Sequence, residues 1–269
     1  MSPLILAGML AEFNPLSPIQ SEPVFTFPIG QWHVVFTNHM FMITVATVLL
    51  LIGLPLAVRR KRLVPTGSQN LVEAVCVYLR EQVARPYLKQ HTDRYIGFVW
   101  TIFFFVLSLN LLGMIPSEYI IQLVTGKKNH FGGPATANIW VTGALSAITF
   151  VMIHVCGVRE QGLWHYMVNF APKVPPLLMP LIYFIEIISS IVKQVALAIR
   201  LFANMLAGHV SSATILGLIL IFKNYGVASA SVTLVVALSC LDLLIAFLQA
   251  YIFAFLSTLF LGFAIAPEH

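Results

Sequence analysis

Charge is missing from three long intervals of the chain before Arg159. No Asp, Glu, Lys or Arg lies between Glu22 and Arg59, between Arg94 and Glu118, or between Lys128 and Arg159. About 20 apolar residues span a bilayer, so these intervals predict spanning helices over 38–58, 95–116 and 134–158. The third carries Gly143, Ala144 and Ala147, small residues that let helices approach closely in lipid. Residues 1–37 hold five prolines (Pro3, Pro15, Pro18, Pro23, Pro28). Proline at that density breaks helices, which predicts an irregular or short-helical leader.

The stretch between the first two spans has a different rhythm. Leu71, Val75, Tyr78, Leu79 and Val83 recur at helical spacing, with Glu73, Arg80 and Glu81 on other faces. That pattern predicts an amphipathic helix over 68–85, ended or kinked by Pro86. It reads as a helix lying in the membrane interface, with docking of another subunit as the sharper reading. Trp164, His165 and Tyr166 fit an interfacial belt, and Pro172, Pro175, Pro176 and Pro180 punctuate the chain after it.

Two apolar stretches follow, 177–222 and 227–266, separated by Lys223-Asn224-Tyr225-Gly226. Each runs to roughly 40 residues, or about 60 Å of helix, against a hydrocarbon core of about 30 Å. Each therefore either breaks or lies strongly tilted. No internal repeat of the transporter kind is evident.

Composition agrees with this layout. The 269 residues are 59% hydrophobic and 9% charged, with a mean hydropathy of +0.90. Soluble domains average about 25% charged residues. The chain reads as an all-α polytopic membrane protein. The formal net charge is +5, but the basic residues gather in one loop: Arg59, Arg60, Lys61 and Arg62, then Arg80, Arg85, Lys89 and Arg94. Basic loops face the cytoplasm, so the N-terminus is expected outside, and nucleic acid is not an expected partner. The leader begins MSPLILAGML without a basic segment, which argues against a cleaved signal peptide. Cys76, Cys156 and Cys240 lie far apart with no metal-ligand spacing and read as packing residues. No cofactor or metal is expected.

The polar residues of the two long stretches carry the chemistry. Arg200 is always protonated, and no acidic residue lies within thirteen positions of it. An intramembrane cation costs roughly 3–10 kcal/mol, so it needs a partner or a task. Glu186, Ser189, Ser190, Lys193, Arg200 and Asn204 fall mostly on one broad stripe at about 100° per residue. Ser189 is near its middle and Ser190 toward an edge, while His209 lies on the opposite face. Glu186 and Lys193, seven apart, have the spacing of an ion pair, or each snorkels to the surface. Asp242 and Gln249 share a face of the second stretch. A lone aspartate there is expensive, and with a nearby imidazole it makes a proton relay. His33, His39, His130, His154 and His165 are scattered without ligand spacing and receive no role.

Three blocks resemble a known family. Arg-Leu-Phe-Ala-Asn-Met-Leu-Ala-Gly (200–208) is similar to the signature of subunit a of F-type ATP synthases, the stator half of a rotary proton channel. Leu248-Gln249-Ala250-Tyr251-Ile252-Phe253 resembles the partner motif on that family's last helix. Asn110-Leu111-Leu112-Gly113-Met114-Ile115-Pro116 resembles its second spanning helix. The resemblance implies three roughly perpendicular spanning helices, the interfacial helix, and a long near-horizontal two-helix hairpin along the rotor. It implies that Arg200 faces a carboxylate on a ring of c subunits. It further implies an outer half-channel of Asn204, His209, Asp242 and Gln249 and an inner one of Glu186, Ser189 and Lys193. The implied partners are the c-subunit ring, b-type peripheral stalk subunits and the rest of the ATP synthase, in a bacterial inner membrane rather than a mitochondrial or plastid one.

Departures from the family matter as well. Some bacterial members carry an acid where this chain has His209 and a histidine where it has Asp242; here the two are exchanged, as in the mitochondrial form. Gln194 stands where a proline often follows the lysine. Gly113 stands where some members carry an acid, so the second spanning helix is expected to contribute less polarity. No glycine-rich phosphate loop is present, so the phosphoryl chemistry belongs to other subunits. The rival readings are a stand-alone secondary transporter or channel, a sodium-coupled version of the same subunit, and a structural subunit of a respiratory complex. Haem binding by His33 and His39 is a fourth and weaker one, since they share a helical face poorly.

Overall fold

The computed structural model of the chain describes residues 21–265, apart from 22, 30–31, 59–66, 116–132, 171–174, 176 and 223. Most of the expected leader, the Arg59–Arg62 cluster, the turn at 118–130 and Lys223 lie outside the described residues. The protein is an all-α polytopic membrane protein. Among the described residues, five helical stretches are long and apolar enough to cross a bilayer.

The described part of the leader departs from the expectation of irregular or short-helical structure. Strands β1 (Pro23–Ile29) and β2 (Trp32–Thr37) form an antiparallel hairpin, with Phe25 opposite Phe36 and Ile29 opposite Trp32. Prolines break helices, but a two-stranded ribbon has a free edge on each strand and accepts them there. Pro23 takes the first position of β1, beside a register irregularity between Pro23 and Phe25.

Helix α1 (Asn38–Ala57) follows directly. Helix α2 (Ser68–Tyr78) leads into a wide π-type turn, Leu79–Ala84, then α3 (Arg85–Leu88) and a 3-10 turn, Lys89–His91. The π turn has a packing reason. In an uninterrupted α-helix Leu88, nine residues after Leu79, would point the opposite way. The wider turn rotates it back, so that Leu79, Val83, Ala84 and Leu88 are all buried. Pro86 sits in the first turn of α3, where its missing N–H costs nothing. Lys89 closes α3 with φ of 47°, the one positive φ at a non-glycine among the described residues. Leu71 and Tyr78 stay exposed while Leu79 and Val83 are buried, so only the later part of the predicted apolar face is covered by this chain.

The remaining helices are α4 (Thr92–Met114), α5 (Ile139–Gln161), the short α6 (Leu163–Asn169), α7 (Met179–Phe222) and α8 (Tyr225–Ile265). A 3-10 turn, Ala135–Ala137, precedes α5. Gly162, at φ 79°, breaks the chain between α5 and α6. Helices α7 and α8 are continuous over 44 and 41 residues, so the long apolar stretches do not break.

The chain divides into two compact units. One draws on residues up to Val45, Leu109–Val141 and Leu201–Leu248; the other on Ala46–Ser108, Thr142–Arg200 and Gln249 onward. The second unit is tied by polar contacts on largely covered Glu160, which accepts hydrogen bonds from Arg94 and from the Tyr95 hydroxyl at 2.6 Å, with His91 3.7 Å away. Backbone approach tightens it further. A Cβ on Gly262 would meet the Tyr87 carbonyl at 2.8 Å, and one on Gly157 would meet the Ala264 carbonyl at 2.8 Å. Tyr78 packs against Tyr251 and Tyr87 against Phe255, with ring centroids 6.2 and 5.6 Å apart.

Candidate functional site

The polar residues of α7 and α8 separate into two constellations, one in each unit. In the first unit, Asp242 of α8 lies against Gly208 of α7. A Cβ on Gly208 would stand 3.0–3.1 Å from all three carboxyl atoms of Asp242. Glycine therefore lets the carboxyl lie against the α7 backbone. The next residue, His209, lies in the electrostatic field of Asp242 and is hydrogen-bonded to the backbone of Gly113. The glycine that precedes His209 is thus what lets the Asp242 carboxyl come close to this part of α7.

Helix α4 places one polar side chain against α8. Asn110 is buried; its Nδ2 donates to the Ala246 carbonyl at 3.5 Å, and its Oδ1 accepts from the Thr136 hydroxyl at 3.2 Å. Gly113 supplies a backbone group to His209, and a side chain there would collide with Met205 and Pro134. Spacing on the last two helices gave no signal for Asn110 as a site residue. Its signal is an amide inside the charge-free interval 95–117, where only a hydrogen-bonded role offsets its burial.

The second constellation surrounds a cavity of about 490 Å³. Glu186, Ser190, Lys193 and Gln194 of α7 line one side. Glu186 Oε1 and Lys193 Nζ are 3.5 Å apart, and Nζ lies 5.8 Å from the centre of the Phe260 ring. Of the two sequence readings, the ion pair is the one adopted. Gln194 is buried; its backbone carbonyl accepts from the Ser146 hydroxyl at 2.7 Å. That contact helps fix how α7 is rotated, and Ser190 rather than Ser189 faces the cavity. Ser189 is half-buried outside the cavity lining.

His154 of α5 and Tyr166 of α6 line the other side. Burial, reinforced by the Tyr183 phenol, pushes the Tyr166 hydroxyl up to about 12. Tyr166 therefore stays neutral and does not exchange its proton at physiological pH. His154 received no role from the sequence because nothing in its spacing links it to Glu186 or Lys193.

Arg200 is not among the residues that line the cavity. It is exposed and takes part in no ion pair or side-chain hydrogen bond among the described residues. Residues at −4, +3 and +7 from it, Ala196, Ala203 and Ala207, are also exposed, so by helical periodicity the guanidinium rises from a face of small side chains. Asn204 follows one turn later, half-buried. Gln249 is buried at 4% exposure, and its Nε2 lacks a hydrogen-bond partner among the described residues.

The family model described as ATP synthase A chain matches residues 40–262. The chain is 32% identical to ATP synthase subunit a of Chloroherpeton thalassium, over 98% of this chain and 76% of that one. It is 34% identical to the subunit a of Myxococcus xanthus, over 93% of this chain and 88% of that one. It is 31% identical to the subunit a of Maricaulis maris, over 97% of this chain and the whole of that one.

Proposed function

This chain belongs to the subunit a family of ATP synthases, the membrane-embedded stator side of the proton channel, and on that premise we propose that Arg200 separates two half-channels serving a rotating ring of c subunits. The carrying observation is the state of Arg200. It is an exposed permanent cation on a face of alanines, without an internal partner among the described residues. Leaving it so in lipid costs roughly 3–10 kcal/mol. A carboxylate on another subunit, approaching that smooth face, offsets this.

The mechanism follows from charge. A ring carboxylate is neutral while it faces lipid, because desolvation disfavours the anion. Opposite Arg200 the anion is favoured, so the carboxyl gives up its proton to the path of Glu186, Ser189 and Lys193. Ser190, which lines the cavity, joins that path. As the ring turns on, the carboxylate takes a proton from the path of Asn204, His209, Asp242 and Gln249. The fixed guanidinium repels protons and keeps the two paths from joining. The membrane potential supplies about 2.3 kcal/mol per charge per 100 mV. The chain works within an F-type ATP synthase, and the b-type stalk subunits are the partners that hold it against the ring. The N-terminus lies outside and 59–94 inside a bacterial inner membrane.

The test uses membrane vesicles carrying the assembled enzyme. Arg200→Lys keeps a charge but loses the planar fork and can deprotonate. It should abolish ATP-driven pumping with subunit content intact. Arg200→Ala should raise passive proton leak. Normal pumping by a fully assembled Arg200→Ala enzyme would overturn the reading.

A further inference from the structure

We propose that His154 is a proton-exchanging residue of the path that runs past Glu186 and Lys193; the proposal rests on the half-channel reading of that cavity. Among the described residues that line the cavity, few exchange protons near neutral pH. Gln161 and Asn169 are carboxamides already committed: Gln161 Nε2 donates to the Ala264 carbonyl at 2.8 Å, and Asn169 Nδ2 donates to Gln161 Oε1 at 3.1 Å. Tyr166 holds its proton too tightly. Glu186 and Lys193, a pair 3.5 Å apart, already belong to the path. His154 is left, and a neutral imidazole has one ring nitrogen that can accept a proton and give it back.

The ring is seated for this task. His154 Nδ1 lies 2.8 Å from the Phe150 carbonyl oxygen. A carbonyl only accepts, so Nδ1 carries the hydrogen and Nε2 is the acceptor. Phe150, Tyr166 and Phe170 hold the ring with centroids 4.1, 6.2 and 6.2 Å away. Tyr166, Glu186 and Lys193 are the other titratable groups among the described residues that line the cavity, and Tyr183 packs at a tilt against Phe170 behind it. A cavity of about 490 Å³ has room for several waters at about 30 Å³ each. In the transfer, Nε2 accepts a proton from cavity water and the imidazolium returns it from the same nitrogen to water nearer the exit. No electrons move, Nδ1–H stays on the Phe150 carbonyl, and the ring ends in its starting tautomer.

Passive proton flux is measured in vesicles holding the assembled membrane sector, with subunit content as the control. His154→Ala should slow flux about ten-fold, below the range of general acid–base effects because water remains in the cavity. Added imidazole should restore His154→Ala, whose vacated site accepts it. It should leave His154→Phe slow, because that ring fills the space. His154→Asn keeps a donor for the Phe150 carbonyl and serves if the alanine variant assembles poorly; it should also be slow. Normal flux in assembled His154→Ala or His154→Asn, while Glu186→Gln is slow, overturns the role of His154 and leaves the cavity reading standing. Equal restoration of the alanine and phenylalanine variants overturns it as well. If Glu186→Gln is as fast as the unmodified enzyme, the cavity reading itself fails.

Discussion

The two constellations solve the problem of polar groups in an apolar protein in opposite ways. Around Asp242 the chain closes in. Gly208 presses backbone against the carboxyl, Gly113 offers a backbone group to His209, and the buried Asn110 fills its bonds with Ala246 and Thr136. Around Glu186 the chain stands back, leaving an ion pair at 3.5 Å beside a cavity of about 490 Å³. Geometry dominates in the first, since direct contacts leave little slack. Solvent dominates in the second, since water can substitute for a missing side chain. Damage of equal chemical size should therefore cost more at Asp242 than at Glu186.

That contrast can be broken directly. Asp242→Asn removes the exchangeable carboxyl from a packed site, and proton flux should fall about a hundred-fold, within the range of lost acid–base groups. The reciprocal exchange, Asp at 209 with His at 242, should recover more flux than either single change. If the double exchange is no faster than the slower single variant, the two residues do not act as a pair. Glu186→Gln should slow flux about ten-fold, equal to about 1.4 kcal/mol of barrier. An equal or larger loss at Glu186 than at Asp242 would reverse the comparison.

A smaller effect sharpens it. Gly208→Ala puts a methyl 3.0–3.1 Å from the Asp242 carboxyl, a misfit of a few tenths of an ångström. A misplacement of about 1 Å can cost a hundred-fold, so about three-fold is expected here, measured as proton flux at constant subunit content. Ser189→Ala should change flux by less than about two-fold, within the scatter of changes away from special contacts, because Ser190 is the serine on the cavity. The same loss from Ser189→Ala as from Ser190→Ala would place the path elsewhere.

The all-α polytopic class was legible because it depends on counting: charge-free intervals and their lengths. Arg200 was legible because its cost is so large that any reader of hydropathy meets it. Contacts between distant helices were not. Ser189 and Ser190 differ by one step of about 100°, less than the uncertainty in how α7 is rotated. The Gln194 contact with Ser146, 48 residues away, helps set that rotation. His154 lies on a different helix from Glu186, so no spacing links them. The hairpin at 23–37 was missed because proline excludes helix without excluding a free-edged strand. The π turn at Leu79–Ala84 was missed because the pattern it corrects, Leu79 to Leu88, looks out of phase only when both residues are known to be buried.

Gly262 and Gly157 have a mechanical consequence. A stator bears the reaction to every push on its rotor, and side chains deflect before backbones do. Near its C-terminal end α8 meets the Tyr87 carbonyl at Gly262, and its Ala264 carbonyl meets Gly157 of α5. At Gly157 the Tyr166 ring shares the contact with the Ala264 carbonyl. Load arriving along α8 is thus handed from main chain to main chain at Gly262, and to main chain and one aromatic ring at Gly157. Bulk at either glycine would act as a soft washer, letting the helix yield under torque while proton transfer at each site stayed intact.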